Sequence, residues 1–388
     1  MQKSSLYLSI GILLAVFTGI YSCTKVNGID NNKIIETPYS LYFGDTSGAV
    51  YNSNDGKTYT TVFQADGYPC KAICTSYSNI ILVKNNLYVS TNNGINFNIG
   101  YDAITIDTSR DCNNYPIGLN QSMILNVPDW YRLYLASDSF NTQNPLGMAV
   151  TTGGGVAGYW GFDKSYDTSG YAEGTAGGYG TLPATMISFT RLKNGVVCAL
   201  GLNGSAPAAF SSPYTYKNYY RGDTLHNHYW EETTAGVFGA PRNMTGSPLP
   251  SLGFFTLGHY NNRLIAIDSK CTYGAYYSDD TGRTWIAYSG IPANTSLISI
   301  ASPFEETCLI GSSNGLYILN LNTGSFQQVT NGLTSGLIVR SIAFKENIYK
   351  SGNTQKYVFL ATNKGIYQSM DGGSTWLRTI PGNFTAIY

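Results

Sequence analysis

The chain has 388 residues, and its 23 basic and 23 acidic side chains give a formal net charge of zero. No run of basic residues is visible, so nucleic acid is excluded as an expected partner, because phosphate binding needs clustered Lys and Arg. Charged residues make up only 12% of the chain and aromatic residues 14%, with 43 Gly and 32 Tyr. This composition is typical of many short strands and turns, and it predicts an all-β fold.

Residues 1–22 are predicted to be a signal peptide. One Lys precedes an apolar run that begins at Ile10 and ends at Ile20, which is too short for a membrane span. The following Ile-Tyr-Ser-Cys, ending at Cys23, resembles a lipobox, although Tyr21 stands where a small or aliphatic residue is usual. The resemblance implies cleavage before Cys23 and acylation of its thiol. The alternative is an ordinary cleaved signal.

Lipidation implies a location in the bacterial cell envelope. Acyl chains on Cys23 anchor the protein without a helix. Thr24 is not the Asp that retains some lipoproteins at the inner membrane, so the outer membrane is predicted. Residues 23–37 are polar and are predicted to be a tether, and 38–388 are predicted to be one folded, monomeric domain.

Six cysteines remain, namely Cys70, Cys74, Cys112, Cys198, Cys271 and Cys308. Export permits disulfides, but a core of this size does not need them. Cys198 and Cys308 lie in apolar, strand-like runs, where a buried thiol is expected. For the nearest pair, Cys70 and Cys74, both buried thiols and a disulfide-closed loop are open. No cysteine spacing indicates a metal knuckle, and no metal or cofactor is predicted.

An internal repeat organises the chain. In 357–376 an apolar strand, a turn and a second strand precede the motif S-x-D-x-G-x-T-W, and 276–285 repeat the motif at identical spacing. Its residues are Ser369, Asp371, Gly373, Thr375 and Trp376 in one copy, and Ser278, Asp280, Gly282, Thr284 and Trp285 in the other. Asp accepts backbone N–H bonds within its own turn, Gly supplies a positive φ, and Trp packs into the adjoining apolar layer. The motif therefore predicts a locked hairpin corner.

Weaker copies keep the spacing but exchange residue types, with Asn for Asp and other aromatics for Trp. The first is predicted to use Asn52, Asn54, Gly56, Thr58 and Tyr59, and the second Ser90, Asn92, Gly94, Asn96 and Phe97. A third, decayed copy keeps only Asn320, Asn322 and Gly324.

These elements resemble the Asp box, or bacterial neuraminidase repeat, of sialidases, sortilin-type receptors, photosystem assembly factors and several glycoside hydrolases. In those families the box lies between the third and fourth strands of β-propeller blades, away from the catalytic face. The resemblance implies a single β-propeller and says little about function. The box-free middle adds two blades to the five copies, so seven blades of four antiparallel strands are predicted, with six or eight as the alternatives.

Two aromatic segments of the middle are predicted to be inserted loops, near 151–181 and 211–232. The residues predicted to bind a ligand there are Tyr159, Trp160, Phe162, Tyr166, Tyr219, Tyr220, Arg221 and Trp230. Flat rings beside a few polar groups suit stacking on sugars. The alternative is that these rings pack the loops onto the propeller rim.

Catalytic interpretations find less support. The Phe/Tyr-Arg-Ile-Pro motif of sialidases is absent, so no sialidase active-site residue is carried over. Asp163 with Asp167, or Asp223 with Glu231, are candidate acid pairs for a glycoside hydrolase or lyase. His226 and His228 share one strand face if that segment is a strand, but no carboxylate spacing supports a metal there.

The expected function is therefore that of a non-catalytic envelope lipoprotein that presents a propeller face to a glycan or an envelope protein. No catalytic residue is predicted. The alternatives are the hydrolase or lyase above, and an assembly factor for an envelope complex.

Overall fold

The structure, a computed structural model, describes residues 33–35, 40–76, 79–101, 104–105, 124–127, 132–136, 139–140, 148–152, 160–161, 165–166, 184–203, 213–220, 228–232, 249, 255–282, 284–304, 306–349 and 354–388. All regular secondary structure in these ranges is β-strand, which agrees with the predicted all-β class.

The strands, numbered in chain order, are β1 (Lys33–Ile35), β2 (Leu41–Asp45), β3 (Val50–Ser53), β4 (Thr60–Phe63), β5 (Ala72–Ser76), β6 (Asn79–Val83), β7 (Leu87–Ser90), β8 (Asn98–Tyr101), β9 (Ile104–Thr105), β10 (Ile124–Val127), β11 (Arg132–Ala136), β12 (Ser139–Phe140), β13 (Met148–Thr152), β14 (Trp160–Gly161), β15 (Ser165–Tyr166), β16 (Ala184–Arg191), β17 (Val197–Asn203), β18 (Pro213–Tyr220), β19 (His228–Glu232), β20 (Phe255–Tyr260), β21 (Arg263–Asp268), β22 (Ala275–Ser278), β23 (Ile286–Ala287), β24 (Leu297–Phe304), β25 (Thr307–Ser312), β26 (Gly315–Asn320), β27 (Phe326–Val329), β28 (Val339–Tyr349), β29 (Thr354–Thr362), β30 (Gly365–Ser369), β31 (Leu377–Pro381) and β32 (Phe384–Ile387).

The chain divides into two units. The small unit comprises 1–38 and 345–356, and in it β1 pairs antiparallel with the end of β28, with Lys33 opposite Tyr349. The large unit comprises 39–344 and 357–388.

In the described residues, five four-stranded sheets and two five-stranded sheets are the blades of a β-propeller, and each contains four consecutive antiparallel strands, which confirms the predicted fold class. We number them by chain position. Blade 1 is β32-β2-β3-β4, blade 2 is β5 to β8, blade 3 is β10-β11-β13-β14, blade 4 is β16 to β19, blade 5 is β20 to β23, blade 6 is β24 to β27 and blade 7 is β28 to β31. Strand β15 adds a fifth strand to blade 4, and β9 and β12 form a separate two-stranded sheet.

The first strand of each blade is innermost, because the first strands of neighbouring blades contact one another where the structure describes them, as β5 does with β10 and β20 with β24. Blade 1 takes its first strand from the other end of the chain. Backbone bonds of 3.0 and 2.8 Å join Tyr42 and Tyr388 in both directions. The last strand therefore closes the ring of blades.

Alternating strand direction sorts the connections onto two faces. The turn face carries the connections from first to second and from third to fourth strands. The crossover face carries those from second to third strands and from blade to blade. All copies of the repeat motif follow third strands, and so they lie on the turn face.

The apolar core lies between blades rather than within one layer. Each described core cluster joins side chains of two neighbouring blades, for example Phe43 of blade 1 with Phe359 and Ile366 of blade 7. Because both faces of a blade meet a neighbour, inner strands such as β6 and β30 are buried at every position.

The turn after β22 shows how the motif locks a corner. The Ser278 hydroxyl accepts the Gly282 N–H at 2.8 Å and donates to Asp280 at 2.7 Å. The Asp280 carboxylate accepts the N–H of Thr284 at 2.9 Å and its hydroxyl at 2.6 Å. The turn after β30 repeats each bond, with Gly373 at a φ of 87° that a side chain rarely adopts. Both complete copies therefore form the predicted turn.

The motif Trp joins each blade to the preceding one. Trp376 of blade 7 is buried in a cluster with Leu309 and Leu316 of blade 6, and Trp285 of blade 5 lies in a cluster with Cys198 and Leu200 of blade 4. The turn thus sets both a hairpin corner and an inter-blade contact.

Of the two weaker copies, the second has its motif residues at the predicted positions and the first does not. Ser90 and Asn92 make the predicted bonds to Gly94 and Asn96. In the first copy, Asn52 and Asn54 do not fill the predicted positions. Ser53 accepts the Gly56 N–H at 2.8 Å, and Asp55 accepts the N–H and hydroxyl of Thr58. The turn lacks one residue between Asp and Gly, so a fixed spacing misplaces its first half.

The decayed copy is a simpler turn. The Asn320 side chain accepts the N–H groups of Asn322 and Thr323, and the Gly324 N–H bonds to the Asn320 backbone oxygen. Asn320 therefore caps the start of the turn, the Thr323 hydroxyl accepts the Ser325 N–H at 3.2 Å, and the Asn322 N–H donates to Asn320.

Candidate ligand-binding edge of blade 4

Five of the eight predicted ligand-binding residues lie in strands whose backbone the structure describes. Trp160 lies in β14, Tyr166 in β15, Tyr219 and Tyr220 in β18, and Trp230 in β19. Tyr159, Phe162 and Arg221 lie outside the described residues, as does Cys23.

The segment 211–232 differs from the predicted inserted loop. Residues 213–220 and 228–232 are the third and fourth strands of blade 4. The physical reason is the Tyr- and Thr-rich alternation of Pro-Tyr-Thr-Tyr-Lys-Asn-Tyr-Tyr, which suits a pleated strand better than a loop.

Strand pairing brings the two aromatic segments into one sheet. Strand β15, from the first segment, runs parallel to β19, from the second, with Ser165 opposite Trp230 and Tyr166 opposite Glu231. Strand β18 pairs on the other side of β19 and places Asn218 opposite Trp230. We call β15, β18 and β19 together the blade-4 edge.

Register fixes which residues of the blade-4 edge lie opposite one another. Tyr220 lies opposite His228, Tyr219 lies opposite Tyr229, and Lys217 lies opposite Glu231 of β19 and Cys198 of β17. The backbone pairing therefore brings Tyr166, Tyr219, Tyr220 and Trp230 into one sheet.

Several carboxylates of the described part cap turns. Asp45 accepts the N–H groups of Ser47 and Ala49 and the Tyr51 hydroxyl, at 2.9 to 3.0 Å. Partial burial acts to raise the pKa of Asp55, but the N–H groups of Lys57 and Thr58 and neighbouring hydroxyls lower it to about 2. The hydroxyl of Thr375, with three weaker donors, lowers the pKa of Asp371. The lowered pKa values keep Asp55 and Asp371 ionised, so these two carboxylates stabilise their turns as acceptors.

Of the four residues in the two candidate acid pairs, one, Glu231, lies among the described residues. Asp163, Asp167 and Asp223 lie outside the described residues, while Glu231 is in β19 with Lys217 opposite in register. His226 lies outside them as well, and His228 lies opposite Tyr220. Among the described side chains, no group of three or more His, Cys, Asp or Glu could hold a metal.

A buried ion pair on the crossover face ties blades 1 and 2 together, a feature that sequence reasoning missed. The side chain of Lys84, between β6 and β7, is 0% exposed. Its Nζ donates to Asp66 and to the Gly48 carbonyl, each at 2.6 Å, and lies 4.2 Å from the centroid of the Phe63 ring. A lysine next to two asparagines in a loop gives no sequence signal for burial.

The third histidine bridges the first strands of three blades. His259 Nδ1 lies 2.8 Å from the Thr190 hydroxyl of blade 4, and the Ser302 hydroxyl of blade 6 donates to the His259 carbonyl at 2.6 Å. Burial lowers the pKa of His259. The neutral ring is therefore a link between blades.

The cysteines correct one expectation. Cys70 and Cys74 are buried thiols, so the disulfide-closed loop considered for them is wrong. Burial raises the pKa of each to about 12, which keeps both un-ionised and unreactive. Cys198 and Cys308 are buried thiols, as predicted, whereas Cys271 is disulfide-bonded.

None of the described residues forms a helix with the length and apolar character that a membrane crossing requires.

No family model and no curated protein matches the chain. Among solved structures, it is similar to the extracellular domain of the one-component system BT4673 from B. thetaiotaomicron, with 15% identity, a TM-score of 0.42 and coverage of 80% of this chain and 33% of that one. The chain thus spans about a third of that protein's length.

Two further structures are similar over most of this chain. YCF48 bound to D1 peptide shows 12% identity and a TM-score of 0.46, with coverage of 82% of this chain and 84% of that one. The GH74 xyloglucanase from Xanthomonas campestris shows 13% identity and a TM-score of 0.36, with coverage of 87% and 43%. At these values the similarities carry no argument about function, and the strand pairing described above is what establishes the seven-bladed propeller.

Proposed function

We propose that this protein is a non-catalytic, lipid-anchored protein of the bacterial outer membrane that binds a glycan at the blade-4 edge. In this proposal residues 1–22 are removed, Cys23 carries the acyl chains, 23–37 are the tether and the domain acts as a monomer. The hydrogen-bonded turns after β22 and β30 support the further proposal that it is an Asp-box propeller.

The observation that carries the proposal is the pairing of β15 with β19. It joins two segments, distant in sequence, that are both rich in Tyr and Trp, at the outer edge of one sheet. Aromatic rings present flat apolar faces, and neighbouring Asn, Lys and Glu residues supply hydrogen bonds, a combination that suits the stacking and hydroxyl recognition of sugars. Trp160 lies in the fourth strand of the neighbouring blade 3, and we propose that it belongs to the same surface.

We expect Trp230→Ala to reduce binding to a glycan array by up to about tenfold, because one stacked ring contributes about 0.5–1.5 kcal/mol and tenfold corresponds to about 1.4 kcal/mol. Residues 24–388 are the probe, and Tyr68→Ala is the matched control. Tyr68 is 52% exposed and lies between blades 1 and 2. A Trp230→Ala protein that binds as the parent does would place the site elsewhere.

The same glycans are then tested for cleavage. Binding without turnover supports the proposal, whereas turnover that is lost on Glu231→Gln would replace it with the hydrolase. If no glycan binds and a stoichiometric protein co-purifies from native membranes, the partner is a protein.

Lipidation has a separate test. Cells fed an alkyne fatty acid are expected to label the wild-type chain and not Cys23→Ser, since the thiol is the acylated atom. Only the wild type should remain in the membrane pellet after a carbonate wash. Cys70→Ser is the control, because Cys70 is a buried thiol. Labelling of Cys23→Ser equal to wild type would disprove the anchor.

A further inference from the structure

Cys271 lies in a rigid loop between β21 and β22 of blade 5. The buried Asp268 carboxylate accepts the N–H groups of Lys270, Thr272 and Tyr273 at 3.0 to 3.1 Å. Cys271 adopts a φ of 65°, which is uncommon for a residue other than Gly. The loop therefore holds one half of a disulfide in a defined position on the crossover face.

The cysteine count restricts the partner. Seven cysteines occur in the chain, and Cys70, Cys74, Cys198 and Cys308 are buried thiols outside any disulfide. Only Cys23 and Cys112 remain. A thiol that carries an acyl group forms no disulfide, so the lipidation proposed above removes Cys23.

We propose that Cys271 is joined to Cys112, an inference that rests on the proposed lipidation of Cys23. The bond forms by thiol–disulfide exchange with a disulfide of an envelope protein. The two thiols give up two protons and two electrons, and the disulfide of the envelope protein is reduced to two thiols. No other atom is gained or lost.

Chain topology agrees with this pairing. Cys112 lies in the sequence between blade 2 and blade 3, a blade-to-blade connection, and Cys271 lies in a second-to-third connection. Both kinds of connection begin and end on the crossover face. From Thr105, the end of β9, seven residues reach Cys112, which in extended form span at most about 25 Å.

The bond encloses the part of the propeller that lacks the repeat motif. Blades 3 and 4 both lie between Cys112 and Cys271, in a loop of about 160 residues. Closing so long a loop removes much of the conformational freedom of the unfolded chain. The disulfide supplies to these two blades the restraint that the Ser-Asp-Gly-Thr turns supply to blades 5 and 7.

The first test uses the wild-type protein extracted from membranes. It is denatured in N-ethylmaleimide without reductant, digested and analysed by mass spectrometry. A linked peptide that contains Cys112 and Cys271, separated by reduction, is expected together with alkylated Cys70, Cys74, Cys198 and Cys308. A Cys23–Cys271 peptide would overturn both this inference and the lipidation. Alkylated Cys112 with Cys23 acylated would overturn this inference alone.

A second test follows thermal unfolding. Cys112→Ser, Cys271→Ser and the double variant are expected to show the same decrease in Tm, because either change removes the same bond. Reductant should lower the Tm of the wild type to that value and leave the three variants unchanged. A double variant with a decrease equal to the sum of two different single decreases would contradict the pairing.

Discussion

Asp66→Ala is expected to lower the free energy of unfolding by about 3–5 kcal/mol, because it leaves a buried charge without its counterion. The Lys84 side chain is 0% exposed, and without Asp66 its remaining described partners are the Gly48 carbonyl and the rings of Phe63 and Tyr88, none of which carries a negative charge. Urea denaturation followed by tryptophan fluorescence measures the change.

Lys84→Met is expected to cost less, on the order of 1–2 kcal/mol. The Asp66 side chain is 27% exposed and can be hydrated, while Met keeps an apolar stem beside Phe63. Asp279→Ala is the matched control, because its ion pair with Arg263 is exposed and such pairs contribute about 0–1 kcal/mol. If Asp66→Ala and Asp279→Ala lower the free energy of unfolding equally, the burial of Lys84 does not require the Asp66 carboxylate.

Trp376→Ala is expected to cost about 3–5 kcal/mol, the range for truncating a large buried aromatic residue. Trp376 is 5% exposed, packs with Leu309 and Leu316 of blade 6, and donates its Nε1–H to the Gly373 carbonyl at 2.9 Å. The truncation therefore opens a cavity between blades 6 and 7. Thermal and urea unfolding should both move to milder conditions.

A pair of Phe variants separates packing from hydrogen bonding. Both tryptophans are buried, but Trp285 Nε1 has no hydrogen-bond partner in the described structure. Trp376→Phe is therefore expected to cost about 0.5–1.5 kcal/mol more than Trp285→Phe. If Trp285→Phe costs as much or more, the Gly373 bond adds nothing to the stability of the turn.

The motif turns show how far sequence spacing reaches. Ser278, Asp280 and Thr284 make local bonds within seven residues, so their spacing alone predicts the turn. The prediction for the first copy is wrong at its first two positions, because this turn has one residue fewer between Asp55 and Gly56 and the spacing is shifted. Tyr51 followed by Ser53 repeats the Tyr367 and Ser369 pattern of the strand before the turn, and that signal would have set the register correctly.

Segment 211–232 differs from the predicted inserted loop for a related reason. The alternation of its tyrosines along β18 is a strand pattern. The pairing of β19 with β15 was not predictable, because two parallel strands more than sixty residues apart in the chain produce no local sequence pattern.

The sequence by itself determined the all-β class and the positions of the two complete turns, because strand alternation and turn bonds are local. It predicted seven blades with six or eight as alternatives, and the strand pairing decided for seven. Only the tertiary structure decided the burial of Lys84 against Asp66, the thiol state of Cys70 and Cys74, and the joining of the two aromatic segments at the blade-4 edge. Burial and pairing of this kind arise where neighbouring blades and distant strands meet. No short-range pattern in the chain encodes those contacts.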